Sequence, residues 1–271
     1  MNPILPDKYF IPDVEARVMP DGRLYLYGSW GDWATQIFDT HELHCLSTDD
    51  LVHWEDHGLI YRNDETWAGL PLGPYRKCGV IVDNVYCDPQ TWNDHGSIEE
   101  FNGQWYVFYH KASQNSFTWR RVSIEPIEFD ENGLIKEVEM TSQGAFGPLD
   151  AFSTIPARTA CRIMGTSYIG FAEGREVLTS VAGKHWKVND WAEYKYIDFG
   201  ADTPRNFRMN VRGKGTLTLK ADGNETICTA EFDNAAFTDV TVPVTAEVTG
   251  IHKLWLFMDG DFEVMEFVFE K

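Results

Sequence analysis

The chain has 271 residues, of which 43% are hydrophobic and 14% aromatic, so it can build a sizeable core and is not a disordered chain. Its net charge of −19 repels phosphate backbones and anionic lipid, which argues against nucleic acid and membrane surfaces as partners. The length suits one large or two modest domains.

Cysteine usage and the amino terminus bear on the cellular compartment. The five cysteines are scattered, odd in number and form no Cys-x-x-Cys pair, which is typical of reduced thiols. The segment Met1–Asp7 shows neither the basic nor the apolar region of a signal peptide. We therefore expect a cytoplasmic protein, or a secreted one if a leader has been trimmed.

The first strand-like segment contains an aspartate directly after a proline, Pro12-Asp13. Proline fixes its own φ and cannot donate to a strand ladder, so Asp13 is expected at a strand start or at the rim of a sheet. Side chains at a rim can converge on a pocket. The alternative is a turn aspartate that bonds its own backbone.

Short alternating or aromatic segments separated by turn residues continue along the whole chain, and no segment has the pattern of a long amphipathic helix. This pattern predicts an all-β fold. The predicted strands include 23–27, 104–109, 216–219 and 262–269, and the predicted turns include Asp21-Gly22, Asn102-Gly103, Asp222-Gly223-Asn224 and Asp259-Gly260.

A loop-like segment, Gln143 to Leu149, separates a first part rich in His, Trp and Asp turns from a second part typical of a β-sandwich. The sequence therefore predicts two domains, residues 1–146 and 147–271.

Several motifs of the first part resemble the opening and closing blades of glycoside hydrolase family 43. They are Asn2–Leu5, Ile11–Ala16, Tyr25–Trp30, Leu46–Trp54, Val82–Asn84, Trp92–Gly103, Trp105–His110 and Arg120–Ile127. That family folds as a five-bladed β-propeller and removes arabinose or xylose from plant polysaccharides with inversion. The resemblance implies a glycosidase acting on arabinosyl or xylosyl groups.

The segment that resembles a first blade ends near Trp67, and the segment that resembles a last blade starts near Gly73. A full propeller with four strands in each blade needs about 250–300 residues, and about half that length precedes the boundary. The middle blades are therefore expected to be missing, and the expected fold is a truncated β-propeller-like domain followed by a jelly-roll sandwich. In the family, the missing blades carry the catalytic acid and the aspartate that tunes it.

The resemblance implies that Asp13 is the general base that activates water. An inverting enzyme also needs an acid, and no family motif supplies one here. Candidates for a substitute are Glu15, Glu65, Glu99 and Glu100. We take Glu99 as the candidate acid; its alternative is an ordinary strand residue.

Other site residues follow from the same resemblance. His95 matches a histidine on the propeller axis that helps to hold calcium, so calcium is the candidate metal and no other cofactor is required; the alternative is a buried histidine bonded to backbone. Trp30 and Phe117 are candidates for stacking on sugar rings, although Trp30 also suits a core. Of Arg120 and Arg121, adjacent on a strand, only one can point into a site.

The second part, especially Asp190–Gly200, resembles a family 6 carbohydrate-binding module. The resemblance implies a partner domain that binds carbohydrate, here an arabinose- or xylose-containing oligosaccharide. Glu263 stands where the module's binding asparagine is expected, which argues against sugar binding at that loop.

An opened propeller exposes unpaired strand edges. We expect these edges to be covered by the second domain or by association into a homo-oligomer. Because the acid is not identified, two functions stay open, a glycosidase and a non-catalytic carbohydrate-binding or degenerate relative.

Overall fold

The computed structural model describes residues 15–32, 37–50, 53–62, 78–83, 85–87, 96–101, 103–181 and 190–271. The described chain consists of β-strands with two 3-10 turns, so the predicted all-β class is confirmed. Within these ranges, no helix is long and apolar enough to cross a membrane.

The chain divides into two compact units, Met1–Gly79 and Val80–Lys271. The domain boundary predicted between residues 146 and 147 lies within the second unit and stays a prediction.

The first unit contains one antiparallel sheet with the strand order β1-β2-β3-β4, which is the form of a single propeller blade. Its strands are β1 (Glu15–Val18), β2 (Leu24–Asp32), β3 (Ile37–Thr48) and β4 (Glu55–Arg62). The β1–β2 turn is the predicted Asp21-Gly22, where Asp21 Oδ1 accepts a hydrogen bond from the Arg23 backbone N at 3.0 Å.

The second unit begins with a three-stranded antiparallel sheet, β5-β6-β7, joined by tight turns. Its strands are β5 (Gly96–Phe101), β6 (Gln104–Ser113) and β7 (Ser116–Ile127). Gly103, with φ of 81°, lies between β5 and β6, where Phe101 pairs with Gln104. Asn102 of the predicted turn lies outside the described residues. This meander of antiparallel neighbours has the strand pattern of part of a propeller blade.

The remaining strands form one nine-stranded sheet built around three long strands. A buried apolar cluster takes side chains from strands along this whole sheet, so the sheet encloses its core as a β-sandwich does. The strands are β8 (Leu149–Asp150), β9 (Ile155–Pro156), β10 (Arg162–Met164), β11 (Tyr168–Ala172), β12 (Arg175–Ser180), β13 (Asp190–Asp198), β14 (Asn206–Ala221), β15 (Glu225–Pro243) and β16 (Ile251–Glu270).

Aromatic side chains fill the centre of this sandwich. The ring centroids of Tyr194 and Phe267 are 5.1 Å apart, and those of Phe199 and Phe269 are 4.8 Å apart. Both pairs have the edge-to-face geometry that aromatic rings prefer. The buried hydroxyl of Tyr194 donates to the Ala157 carbonyl at 2.6 Å. Because the 3-10 turn Ala157–Thr159 holds this carbonyl, the core fixes the position of the turn.

The predicted turn at Asp259-Gly260 is wrong, because both residues lie inside β16. Strand β16 pairs with β13 up to Met258 and with β12 from Phe262 onward, so Gly260 sits where the partner strand changes. A Cβ atom on Gly260 would lie 2.4 Å from the Lys214 carbonyl oxygen. The glycine therefore allows a bend inside a continuous strand, and the sequence signal of a turn marks that bend.

Replacing Gly260 by alanine should destabilise the second unit more than the same change at Gly250. Both glycines have positive φ, but a Cβ on Gly250 would meet nothing within 4 Å. We expect Gly260→Ala to cost about 1–3 kcal/mol more free energy of unfolding than Gly250→Ala, measured by urea denaturation. Equal losses in the two variants would show that β14 and β16 do not approach closely at this point.

Candidate functional site

A cleft of about 320 Å³ lies in the second unit, lined by β6, β7, the loop after them, β12 and the Ala157–Thr159 turn. Its described lining carries three basic side chains, Lys111, Arg121 and Arg158, and one carboxylate, Glu176. Five hydroxyl side chains also line it, those of Ser113, Ser123, Thr141, Ser142 and Thr159. Such a surface can bind a polar, hydroxyl-rich ligand.

One wall of the cleft is held by the buried carboxylate of Glu125 on β7, which is 2% exposed. It accepts hydrogen bonds from the Tyr109 hydroxyl at 3.1 Å, the Thr141 backbone N at 2.7 Å and Thr141 Oγ1 at 2.9 Å. Burial raises the pKa of the Glu125 carboxyl above its ordinary value, although the bonds from Thr141 and Tyr109 oppose the shift. The carboxylate therefore ties the loop at Thr141 to the sheet.

The same threonine sets the turn that follows. Thr141 Oγ1 accepts a bond from the Gly144 backbone N at 2.9 Å, at the start of the 3-10 turn Gly144–Phe146. Gly144 has φ of 59°, and a Cβ there would lie 3.1 Å from the Ile124 carbonyl oxygen of β7. This close approach presents Phe146, which is 92% exposed, on the lining of the cleft. An exposed ring in that position can stack on the apolar face of a sugar.

Gln143 brings a buried acceptor to the same lining. Its Oε1 is inaccessible to solvent and accepts no hydrogen bond from the part of the chain that the structure describes. A buried acceptor without a donor costs free energy, which the packing of this loop has to offset.

The opposite wall is held by a second buried carboxylate, Glu176 on β12, whose side chain is 6% exposed. Glu176 Oε1 accepts from Arg121 Nε at 2.8 Å and from Ser113 Oγ at 2.7 Å. These bonds join β6 and β7 to the sandwich. Because Glu176 is fixed by both partners, it positions Arg121 instead of being available as an acid or base.

Of the predicted site residues, Arg121 is on the described lining of this cleft. Asp13 and His95 lie outside the described residues. Trp30 belongs to β2, and Phe117 and Arg120 belong to β7, but their side chains are outside the described part of the chain. Their roles stay predictions.

Glu99, the candidate acid, is an exposed residue of β5 opposite Tyr106 of β6. It is not among the residues that line the Arg121 cleft, so the structure does not bring these two predicted residues together there. Its role as an acid also stays a prediction.

A second cleft, of about 450 Å³, is lined by three carboxylates, those of Asp83, Glu137 and Glu139, and by Arg162 and Lys195, and some of these groups belong to a network of ion pairs. Lys195 Nζ lies 3.4 Å from Glu139 Oε1 and 3.8 Å from Oε2 of the buried Glu193. Arg162 Nη1 lies 3.3 Å from the same Glu193 oxygen. Burial raises the pKa of Glu193 against the charges of Lys195 and Arg162. Burial also raises the pKa of Glu139, but the Tyr196 hydroxyl and Lys195 outweigh it and leave the pKa below its ordinary value. The network is fully paired and is a structural link.

Among the described residues, no three His, Cys, Asp or Glu side chains are grouped to hold a metal ion. The predicted calcium ligand His95 lies outside those residues, so calcium binding stays a prediction. Glu263, at the position where the module's asparagine is expected, accepts a hydrogen bond from Arg212 Nε at 2.9 Å and is therefore engaged in an ion pair.

Sequence reasoning missed the residues that build this cleft. The sequence pattern places Glu125 in a closing blade and Gln143 and Phe146 in a linker, and Glu176 is 55 residues from its partner Arg121. A phenylalanine between glycines in a loop is a signal of exposure that the sequence did carry. The contacts of Glu125 and Glu176 have no local signal.

No family model matches the sequence. The chain is 33% identical over 178 residues to a xylosidase/arabinosidase of Thermoclostridium stercorarium, which covers 60% of this chain and 35% of that protein. It is 20% identical over 206 residues to an arabinoxylan arabinofuranohydrolase of Paenibacillus polymyxa, which covers 70% of this chain and 32% of that protein. The chain thus spans about a third of the length of these relatives.

Among solved structures, the chain is similar to a glycoside hydrolase family 43 arabinoxylan arabinofuranohydrolase from Bacillus subtilis, in complex with cellotetraose. The TM-score is 0.51 and the identity is 18%, over 97% of this chain and 67% of that one. These findings confirm the resemblance inferred from the motifs. About a third of the longer structure has no counterpart in this chain.

Replacing Glu125 by glutamine should change how stability depends on pH. The unfolded carboxyl ionises near 4.5 and the folded one at higher pH, so the folded state binds more protons between these values. The contribution of Glu125 to the free energy of unfolding of the wild type therefore falls as pH rises through this window. The Glu125→Gln variant lacks this pH-dependent contribution. Urea midpoints between pH 4 and pH 8 test this, with Glu128→Gln, an exposed neighbour, as control. Parallel profiles for wild type and Glu125→Gln would contradict the assignment.

Replacing Arg121 by methionine should leave Glu176 buried with only Ser113 as a partner. We expect a loss of about 1–3 kcal/mol in the free energy of unfolding, because a buried acceptor loses a charged donor. The double variant Arg121→Met/Glu176→Gln should recover part of this loss, and Arg158→Met should be nearly neutral. A loss in Arg121→Met that the second substitution does not reduce would show that the ion pair is not its cause.

Proposed function

We propose that the chain is a glycoside hydrolase that acts on arabinosyl or xylosyl groups of plant polysaccharides. The observation that carries this proposal is the 33% identity over 178 residues to a xylosidase/arabinosidase. The arrangement of hydroxyls, arginines and an exposed phenylalanine in the cleft is consistent with it, because such a surface suits a saccharide.

The proposed reaction is a single displacement with inversion. Asp13 takes a proton from a water molecule, which attacks the anomeric carbon, while an acid protonates the leaving oxygen. The two carboxyl groups of inverting enzymes are about 6.5–9.5 Å apart, which leaves room for that water. Glu99 is the candidate acid.

A second candidate function is carbohydrate binding without catalysis. The observation that favours it is the single carboxylate, Glu176, among the described residues of the cleft. Arg121 and Ser113 both donate to that carboxylate. The described residues of the cleft therefore include groups that can bind a ligand but no second carboxylate that could act with Glu176 as an acid–base pair.

Replacing Asp13 by asparagine tests the catalytic proposal. We expect hydrolysis of aryl arabinofuranoside or aryl xyloside to fall by about 10²–10⁴-fold, the usual contribution of a general base. The matched control is Asp21→Asn, in the β1–β2 turn, which should keep its activity. Nitrophenol release gives the rate. Equal rates in wild type and Asp13→Asn would remove Asp13 from the mechanism, and no hydrolysis by wild type, with oligosaccharide binding retained, would decide for the binding function.

A further inference from the structure

We propose that the cleft binds a saccharide that carries a carboxylate, a uronic acid side group, which Arg121 and Arg158 recognise. The inference rests on the proposed carbohydrate function and specifies the class of sugar. It follows from the extent of the groove, the sign of its charge, the donor atoms still available and the nature of the rest of its lining.

The cleft continues into an adjoining lobe of about 400 Å³. Arg121, Arg158 and Glu176 line both lobes, so the two arginines stand at their junction. The second lobe adds Phe171, which is 56% exposed, and Arg175. A groove of two lobes with charged groups at its middle suits a short chain with one charged side group.

The charge of this groove is opposite to that of the chain. The protein carries a net charge of −19, yet the described lining of the two lobes holds four basic side chains and the single carboxylate Glu176. Arg175 is paired with Glu266 at 3.0 Å, and Lys111 donates to the Ala160 carbonyl at 3.1 Å. The net charge of the chain disfavours anions in general, whereas this groove has an excess of basic side chains and can bind an acidic ligand.

The two arginines retain donor atoms for such a ligand. Arg121 uses Nε for Glu176, and its two terminal amino groups donate to no residue that the structure describes. Arg158 is exposed and makes no ion pair or hydrogen bond within the described ranges. A guanidinium binds a carboxylate through two parallel N–H donors, so each arginine can take one face of a uronate group.

The remaining lining favours a sugar over other anions. Phe146 and Phe171 expose one ring in each lobe, and five hydroxyl side chains line the first lobe. Pyranose rings supply both an apolar face for these rings and hydroxyl groups for the hydroxyl side chains, whereas a phosphate ion has no apolar face. The geometry therefore assigns the carboxylate to the arginines and the sugar rings to the phenylalanines.

Calorimetry with three oligosaccharides tests the proposal. The ligands are a xylo-oligosaccharide bearing one glucuronic acid group, the same molecule with its carboxyl reduced to an alcohol, and the unsubstituted chain. We expect the acidic ligand to bind about tenfold more tightly than its reduced form, with the preference reduced by added salt. Arg158→Gln should lose most of the preference, and Lys214→Gln, an equal charge change outside the groove, should keep it. Phe146→Ala should weaken binding of all three.

The outcomes separate this proposal from the proposed function. Equal binding of acidic and reduced ligands overturns the acidic class while leaving carbohydrate binding intact. No binding of any ligand overturns both. A preference that survives in Arg158→Gln places the acidic group elsewhere, and binding of a polyglutamate peptide as tight as that of the acidic sugar replaces the saccharide by an acidic protein partner.

Discussion

The described site depends on the buried carboxylate of Glu125. It accepts both the backbone N–H and the hydroxyl of Thr141, and the same hydroxyl accepts from Gly144, so one acid on β7 sets the path of the loop to Phe146. A buried charged group without these donors would be costly, which makes the arrangement specific. The loop conformation that exposes Phe146 and buries Gln143 Oε1 follows from this contact.

Glu176 has the matching role on the other wall. Glu125 fixes a loop to the β6–β7 hairpin, and Glu176 fixes the hairpin to strand β12 through Ser113 and Arg121. Both glutamates are therefore positioning groups, and the groups left to meet a ligand are arginines, hydroxyls and aromatic rings. Because both glutamates of the cleft are held by hydrogen bonds, the cleft is suited to binding a ligand. The proposed catalytic base is a different residue, Asp13.

Much of the fold was predictable from local patterns. Alternating strands and a turn such as Asp21-Gly22 are set by neighbouring residues, and the structure has this turn where it is expected. Asp259-Gly260 misled because the residues of a turn also suit a bend inside a long strand, and only the backbone of β14 decides between the two. The cleft was not predictable, since Arg121 and Glu176 are brought together by tertiary packing, and Glu125 looked like an ordinary strand residue.

The claim that this cleft contacts saccharide is tested most directly by hydrogen–deuterium exchange of the full chain with and without a glucuronic acid-bearing xylo-oligosaccharide. We expect backbone amides in peptides covering 141–146 and 157–160 to exchange more slowly when the ligand is added, because the bound sugar stabilises the loop and the turn that line the cleft. Slower exchange confined to peptides elsewhere in the chain, with those two segments unchanged, would contradict it.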